Sequence, residues 1–327
     1  MKALNNSVSS QVEMTPGQAI RQGSKSFALA SLFLPSASRQ RALILYQWCR
    51  NCDDAIDEAP DAESARLQLS RMEDRDLAGP TLAGPEWLDD WQRSEFIAGM
   101  RMDVEGRSYE HLEDLEQYCF RVAGVIGLMM CPLLGAHPEM APPHAVSLGC
   151  AMQLTNIARD VQADARLGRV YIPQKLLPNL IDDQANSLCA HPELTHAAVR
   201  ILLSRADELY ENGFHGLAWL PWRVAFAIAV AGKVYQRIGH KLLRTAAVNP
   251  CRAFGNRTVV SLPGKLSAVA SAGLLVLKIK IIRSRSGLRP VTIPAFGPNR
   301  GGKKSSHREP PPGLLDATTH FGPTLKD

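Results

Sequence analysis

The sequence contains no long apolar run of the kind that crosses a membrane. Its 327 residues are 45% hydrophobic and 21% charged, yet no stretch reaches the roughly 18 clean apolar residues that a spanning helix needs. The uncharged segment Met140–Ala158 comes closest, but Pro142, Pro143 and several polar side chains interrupt it. The first residues, MKALNNSVSSQVEM, have no apolar core of signal-peptide length. We therefore expect a cytoplasmic protein that does not span a membrane.

Cysteine, histidine and glycine are placed too irregularly for several common chemistries. The seven cysteines are an odd count, and a chain of this size needs no disulfides to fold. Cys49 and Cys52 match C-x-x-C, but they fall inside a helical pattern and no second pair is present to bind zinc. The nine histidines show no metal-ligand spacing, and no glycine fingerprint of a phosphate loop or dinucleotide fold is complete.

Strand patterns are nearly absent, and helical periodicity replaces them. Apolar and polar residues mix with helical spacing in several long segments, and prolines fall mostly between these segments. The segments are Gln40–Glu58, Glu113–Met130, Ala145–Ala165, His196–Leu217 and Trp222–Thr245. Consecutive long helices without strands predict an all-α, single-domain helical bundle. The repeated LAGP of Leu77–Pro85 is interpreted as a linker.

The excess positive charge lies near the C-terminus. Residues 278–308 hold nine Lys or Arg and no Asp or Glu. We expect a flexible N-terminus over 1–15, one helical domain over 16–283 and a disordered basic tail over 284–327. Two interpretations of the tail stay open: a solvated basic end, or peripheral contact of 266–308 with anionic lipid of the inner membrane, made by an interfacial helix over Leu266–Leu277 and the bases after it. Nucleic-acid binding is not expected, because the body adds no basic face.

The segment YQWCRNCDDAIDE carries a pair of acids with helical spacing. Asp53 and Asp57 lie four residues apart, so they share one face of a helix, and Tyr46 and Arg50 continue that face. Like charges at this spacing repel, so something cationic is expected to lie over the pair. Alone, such a pair is more often a solvated acidic surface.

A second segment, AMQLTNIARDVQADARLGRVYIP, repeats the acidic pattern. Gln153, Asn156, Asp160 and Asp164 form a polar stripe on one face of an otherwise apolar helix. Four carboxylates facing one another in a partly dry cavity would be prohibitively costly without divalent cations. Oxygen ligands of this kind suit Mg²⁺, which shares phosphate oxygens with a substrate.

Arginines accompany both acidic segments. Arg50, Arg159 and Arg166 lie beside the acids in sequence, and an arginine grips a polyanion with two parallel hydrogen bonds. Carboxylates, Mg²⁺ and arginine together predict a site for a diphosphate, which is held by its charge and released as a leaving group.

Five segments resemble the squalene/phytoene synthase (head-to-head trans-isoprenyl diphosphate synthase) family, and within it the bacterial phytoene synthases. They are Gly23–Ala28 (GSKSFA), Tyr46–Glu58 (YQWCRNCDDAIDE), Gly99–Asp103 (GMRMD), Tyr118–Met129 (YCFRVAGVIGLM) and Gln153–Pro173 (QLTNIARDVQADARLGRVYIP). The resemblance implies an isoprenoid-synthase fold around a central cavity over 16–283. It also implies Mg²⁺-dependent condensation of two geranylgeranyl diphosphates, through prephytoene diphosphate, to phytoene, a step of carotenoid biosynthesis. Mn²⁺ is the alternative ion, and no NADPH is expected.

The resemblance also assigns roles to individual residues. The metal ligands it implies are Asp53, Asp57, Asn156, Asp160 and Asp164, and the four acids count as catalytic together with Tyr118, whose phenol would assist diphosphate departure or proton removal. The substrate-binding residues it implies are Ser24, Ser26, Tyr46, Arg50, Gln153, Asn156, Arg159, Arg169 and Tyr171. Arg257 aligns with a basic contact of the family.

Two other functions remain open. A squalene or dehydrosqualene synthase acting on farnesyl diphosphate would share the fold, and an inactive relative would serve as a binding partner. The family usually carries a longer helical stretch between Glu58 and Glu95, and a missing helix there would open the cavity wall.

Overall fold

A computed structural model describes residues 25–177, 188, 190–255 and 257–285, with side chains described between 28 and 282 within these ranges. The described residues form helices and contain no β-strand. The α-helices are α1 (Lys25–Ser31), α2 (Ser36–Asp57), α3 (Ala62–Glu73), α4 (Gly79–Leu82), α5 (Asp90–Val104), α6 (Leu112–Cys119), α7 (Val125–Leu133), α8 (Pro142–Arg166), α9 (Pro192–His215), α10 (Trp222–Val248), α11 (Pro250–Gly255) and α12 (Leu262–Arg285). The predicted all-α fold is confirmed.

The helices predicted from periodicity are present, with ends displaced by a few residues. One of them is interrupted, because a π-helical turn, Phe120–Gly124, separates α6 from α7. Such turns add one residue to the helical repeat and occur often at functional sites. A 3₁₀ turn, Gly216–Trp219, continues α9.

Helix α8 lies at the centre of the bundle and contacts α7, α9 and α10. Two glycines permit its close approach to the π-turn and α7. A Cβ atom on Gly149 would collide with the carbonyl of Ala123, and one on Gly127 would collide with the carbonyl of Ala145. Backbones therefore touch directly along this contact, which fixes α8 relative to α7.

The interpretation of Leu77–Pro85 as a linker is wrong. The segment contains α4 and packs against α2, where the indole Nε1 of Trp48 donates a 2.9 Å hydrogen bond to the carbonyl of Leu82. The buried guanidinium of Arg93 donates from Nε to the carbonyl of Ala83 at 2.9 Å. Glycine and proline shape the turn, but these two side chains hold it in place.

The interval between Glu58 and Glu95, where a missing helix would open the cavity wall, contains helices. Helix α3 fills the first part of this interval and contacts both α2 and α5. Asp61 precedes it and acts as its N-terminal cap, because its carboxylate accepts a 2.7 Å hydrogen bond from the backbone N–H of Ser64.

The structure describes only part of the two ends of the chain. The predicted flexible residues 1–15 and the tail beyond 285 lie outside the described residues, as does Ser24. Ser26 is in α1, but its side chain is not among those described. None of the helices in the described part of the chain is long and apolar enough to cross a membrane.

Candidate active site

A cavity of about 620 Å³ lies inside the bundle, between α2, the π-turn, α7, α8 and α10. Most of its polar groups lie together where the acidic ends of α2 and α8 meet the segment after α11. They are Tyr46, Arg50, Asp53, Gln153, Asn156, Arg159, Tyr235 and Arg257. Most of the other lining residues are apolar or small, so the cavity combines a charged end with an apolar interior.

The first acidic pair is carried by α2. Burial, followed by repulsion from Asp57, raises the pKa of Asp53 to about 7. Asp57 is half exposed and accepts a 2.8 Å hydrogen bond from Nη2 of Arg169. Arg50 is directed to its neighbour Asp54, with 3.1 Å between Nε and Oδ2, while its side chain also lines the cavity.

The second acidic pair is carried by α8. Burial, followed by repulsion from Asp160, raises the pKa of Asp164 to about 7. Asp160 is paired with two arginines: Nε of Arg159 lies 2.9 Å from its Oδ1, and Nε of Arg257 lies 3.5 Å from the same atom. The pair therefore lies among cations that a diphosphate could also bind.

Arg169 links the two acidic pairs. Its guanidinium binds Asp57, and its backbone N–H donates to the carbonyl of Asp164 at 2.9 Å. The two motifs therefore lie at the same end of the bundle, as their sequences predicted. In the described ranges, no three His, Cys, Asp or Glu side chains come close enough to hold one metal ion, so the acids form two pairs with arginines between them.

Asp103 is a partly buried acid that the sequence reasoning did not select. Its carboxylate accepts hydrogen bonds from the hydroxyls of Tyr118, at 2.9 Å, and Tyr171, at 2.8 Å. Burial raises its pKa, and the two phenols partly oppose that rise. The charge of Asp103 also contributes, after burial, to the raised pKa of both Asp53 and Asp164. The charge of Asp103 therefore acts on one acid of each pair.

The two tyrosines of this cluster are stacked on each other. The ring centroids of Tyr118 and Tyr171 are 5.1 Å apart, and Tyr109 packs beside both rings. Burial raises the pKa of both Tyr118 and Tyr171 well above the usual value, so the phenols stay protonated. The only sequence signal for Asp103 was its place at the end of the GMRMD segment.

The predicted residues fall into two groups around the charged end. Those lining the cavity are Tyr46, Arg50, Asp53, Gln153, Asn156 and Arg159. The others lie beside it: Asp57 and Asp164 bond to Arg169, Asp160 bonds to Arg159 and Arg257, and Tyr118 and Tyr171 bond to each other and to Asp103. Arg166, also singled out in the sequence, has an exposed side chain.

The donor set fits a hard divalent cation. Asn156 donates from Nδ2 to Oε1 of Gln153 at 3.4 Å, while its own Oδ1 is buried with no hydrogen-bond partner among the described residues. Asp53 and Asp164 carry negative charge that their surroundings do not fully compensate. Mg²⁺ is commonly held by one or two carboxylates together with waters and substrate phosphates, so each acidic pair suits one such ion.

An all-α bundle with two acidic helices at one end of an apolar cavity is the architecture of a helical isoprenoid synthase. A solved dehydrosqualene synthase in complex with a ligand is similar, with a TM-score of 0.67 and 26% identity, covering 80% of this chain and 95% of that one. The family described as squalene/phytoene synthase matches residues 20–262. The chain belongs to this family.

Curated relatives match most of the chain. The 15-cis-phytoene synthase of Enterobacter agglomerans is 33% identical over 290 residues, which is 80% of this chain and 95% of that protein. The 15-cis-phytoene synthase of Paracoccus sp. is 35% identical over 299 residues, covering 83% and 94%.

Proposed function

We propose that this protein is a phytoene synthase, which joins two geranylgeranyl diphosphates head to head. The observation that carries the proposal is the apolar cavity with its charged end, in a chain similar to curated phytoene synthases along most of its length. Each of the two stages, formation of prephytoene diphosphate and its rearrangement to phytoene, releases one diphosphate and one proton.

The acidic pairs are proposed to hold Mg²⁺, with Mn²⁺ as the alternative. Asp53 and Asp57 would serve one side, and Asp160, Asp164 and the free Oδ1 of Asn156 the other. The bound ion would neutralise the negative charge that develops on a departing diphosphate. No NADPH is needed for this product, since the reaction is not a reduction.

The arginines are proposed to bind the diphosphate directly. Arg159 has a side chain only 10% exposed and is already oriented by Asp160. Arg257, in the segment after α11, binds the same carboxylate. Groups that are fixed before the reaction stabilise the charge of the leaving group without reorganising. Arg50 completes this set from α2.

The apolar interior is proposed to hold the two prenyl chains and to exclude water. Val122, Ile126, Leu148, Met152 and Ile228 are among its lining residues. The hydrocarbon side chains of Val122, Ile126, Leu148 and Ile228 offer no nucleophile to an allylic cation, whereas water would trap that cation as an alcohol. Tyr118 and Asp103 would move or hold a proton at the edge of the charged end.

Product analysis tests the proposal against the other activities of the fold. Purified protein is incubated with Mg²⁺ and geranylgeranyl or farnesyl diphosphate, with and without NADPH. The hydrocarbon products are separated by chromatography and identified by mass spectrometry. We expect phytoene from the C20 substrate without NADPH. Squalene formed only with NADPH, or dehydrosqualene as the main product, would instead establish the farnesyl-using alternative.

The inactive-relative alternative is tested with acid-to-alanine variants. Asp53→Ala and Asp160→Ala remove one acid from each pair, and both should abolish product formation. Turnover by the wild-type protein that does not exceed theirs would mean that the chain is not an enzyme of this class.

We further propose that α12 places the protein on an anionic membrane. Leu262, Leu266 and Leu274 are exposed and recur at helical spacing on one face, beginning next to Lys265, which lines the cavity. Exposed apolar side chains on a helix with several basic residues favour contact with the headgroup region of an anionic membrane. Lys280 is one of the bases after Leu277 that the sequence analysis expected to face lipid. It is left out of this proposal, because its ammonium group donates to the carbonyls of Leu217, Ala218 and Leu220.

Flotation with vesicles containing phosphatidylglycerol tests this contact. Leu266→Glu/Leu274→Glu should leave the protein at the bottom of the gradient, while the wild type rises with the vesicles. Leu67→Glu is the control, since Leu67 is also exposed, at 54%, but lies on α3. Equal flotation of all three proteins would remove the proposal.

A further inference from the structure

The cavity follows the length of α8 from its charged end to its beginning. The lining residues of α8 recur every three or four positions on one face, from His144 to Arg159. Asn156 marks the charged end and His144 the opposite one. Twelve residues separate them, and a helix rises 1.5 Å per residue, so the cavity is about 18 Å long between these two levels. Arg159 and Ala141, which also line it, lie beyond them on either side.

This length matches a prenyl chain of twenty carbons. An extended chain advances about 1.2 Å per backbone bond. The sixteen main-chain bonds of a C20 prenyl group therefore span about 19 Å, and the twelve bonds of a C15 group about 14 Å. Measured from Asn156, the C15 chain ends between Leu148 and Ala145, whereas the C20 chain reaches the level of His144.

His144 is held in a fixed position at that level. Its Nδ1 forms a 2.8 Å hydrogen bond with Oδ1 of Asn212, and its ring meets that of His215 edge to face at 6.4 Å. Gly216 lies directly against it, since a Cβ atom added there would collide with Cβ of His144. The imidazole therefore cannot swing aside without losing these contacts.

The turn beside His144, Gly216–Trp219, is held in place by hydrogen bonds as well. Leu217 and Leu220 line the cavity beside His144, and Lys280 of α12 donates hydrogen bonds to their carbonyls at 3.2 and 2.6 Å. On the other side, the backbone N–H of His137 donates to the carbonyl of Trp219 at 3.0 Å. The cavity wall beside His144 is thus held in place by hydrogen bonds, and it contains a polar group.

We propose that His144 is the residue that limits the chain length of the substrate to C20. A longer chain would have to displace the imidazole from Asn212 and cover a polar group with methylenes, which is unfavourable. This inference rests on the proposed function, because it assigns the substrate class of the same cavity. It predicts that the volume of the side chain at this position determines which prenyl diphosphate is preferred.

The test compares His144→Trp and His144→Ala with wild-type protein on C15, C20 and C25 prenyl diphosphates. A larger side chain should lower kcat/KM for C20 relative to C15 by about ten-fold or more, since a hydrophobic pocket discriminates one methylene by roughly 10- to 200-fold. The alanine variant should gain measurable turnover of C25. His191→Trp and His191→Ala are the controls, because the exposed His191 lies outside the cavity.

A second readout separates this inference from the proposed function. Dissociation constants of unreactive thiolodiphosphates of the three chain lengths are measured by calorimetry for each protein. A wild-type protein that binds these analogues but never condenses the corresponding prenyl diphosphates refutes the proposed function, while the binding series still tests His144. Wild-type length preference in both His144 variants would overturn the inference, whether or not turnover occurs. Should His144→Trp unfold early, His144→Phe repeats the test with a smaller increase in volume.

Discussion

The hydroxyl of Tyr118 donates a 2.9 Å hydrogen bond to the partly buried carboxylate of Asp103. The same carboxylate accepts from Tyr171, so two phenols converge on one acid. Burial raises the pKa of all three groups, which keeps the phenols protonated and makes Asp103 a better proton acceptor than an exposed aspartate. A proton can therefore be held or passed within this cluster at the edge of the diphosphate site.

Tyr118→Phe should lower kcat by about 100-fold or more, the usual contribution of a positioned acid or base. The substrate KM should change little, because Tyr118 does not itself line the cavity. Asp103→Asn should lower kcat in the same direction, since an amide accepts protons poorly. Steady-state kinetics with geranylgeranyl diphosphate measure both effects.

Tyr109→Phe is the matched control for this prediction. Tyr109 stacks in the same cluster at 5.7 Å from Tyr118, but it is not one of the phenols that donate to Asp103. An equal loss of kcat in Tyr109→Phe would mean that packing of the rings, and not the hydroxyl of Tyr118, is what matters.

The sequence predicted the acidic pairs but not Asp103, and the reason is physical. Asp53 and Asp57, like Asp160 and Asp164, reveal themselves by repeating at helical spacing. Asp103 is a single acid near the end of α5, and its partners are 15 and 68 residues away. Only the folded bundle brings them together.

A similar limit applied to the fold. Periodicity located the long helices, because their apolar faces repeat locally. It failed for Leu77–Pro85, where glycine and proline suggested a linker and where order comes from Trp48 and Arg93, distant residues that bind carbonyls of the segment. The π-turn before α7 was also missed, since one extra residue barely alters the apolar pattern.

Arg159→Lys tests whether the planar guanidinium is needed to grip the diphosphate. Lysine keeps the charge but cannot form two parallel hydrogen bonds. Since a hydrogen bond to a charged group contributes about 1.5–3 kcal/mol, kcat/KM for the prenyl diphosphate should fall about 10- to 100-fold. Arg166→Lys, at an exposed position of the same helix, should leave kcat/KM unchanged; a similar loss there would point to general electrostatics.

Stability of the metal-free protein should fall as the pH rises through 7. The pKa of Asp53 and of Asp164 is about 7 in the folded protein, against 3.8 for an unperturbed aspartate. The folded state therefore binds more protons than the unfolded state between these values, and stability decreases with pH across this window. Mg²⁺ requires the ionised carboxylates, so it should raise Tm more at pH 8 than at pH 5.5.

Thermal melting with and without Mg²⁺ at both pH values measures this linkage. Asp53→Asn/Asp164→Asn removes both titrating groups and should reduce the dependence of Tm on pH and on Mg²⁺. If the double variant keeps the full wild-type dependence, other groups are responsible for it.

Two glycines should respond oppositely to alanine. A Cβ atom on Gly149 would collide with the carbonyl of Ala123 in the central contact of α8, whereas one on Gly273 would meet only the ring of Phe226, at an ordinary 3.7 Å. Gly149→Ala should therefore lower the free energy of unfolding by about 1–3 kcal/mol, as overpacking does. It should also push the π-turn away from α8 beside the cavity. Gly273→Ala should stabilise by up to about 1 kcal/mol, because alanine is the better helix former. Urea unfolding of both variants measures the difference. A Gly149→Ala protein as stable as the wild type would show that α8 and the π-turn can separate at little cost in free energy. The cavity would then not be rigid, and the argument for a chain-length limit depends on that rigidity.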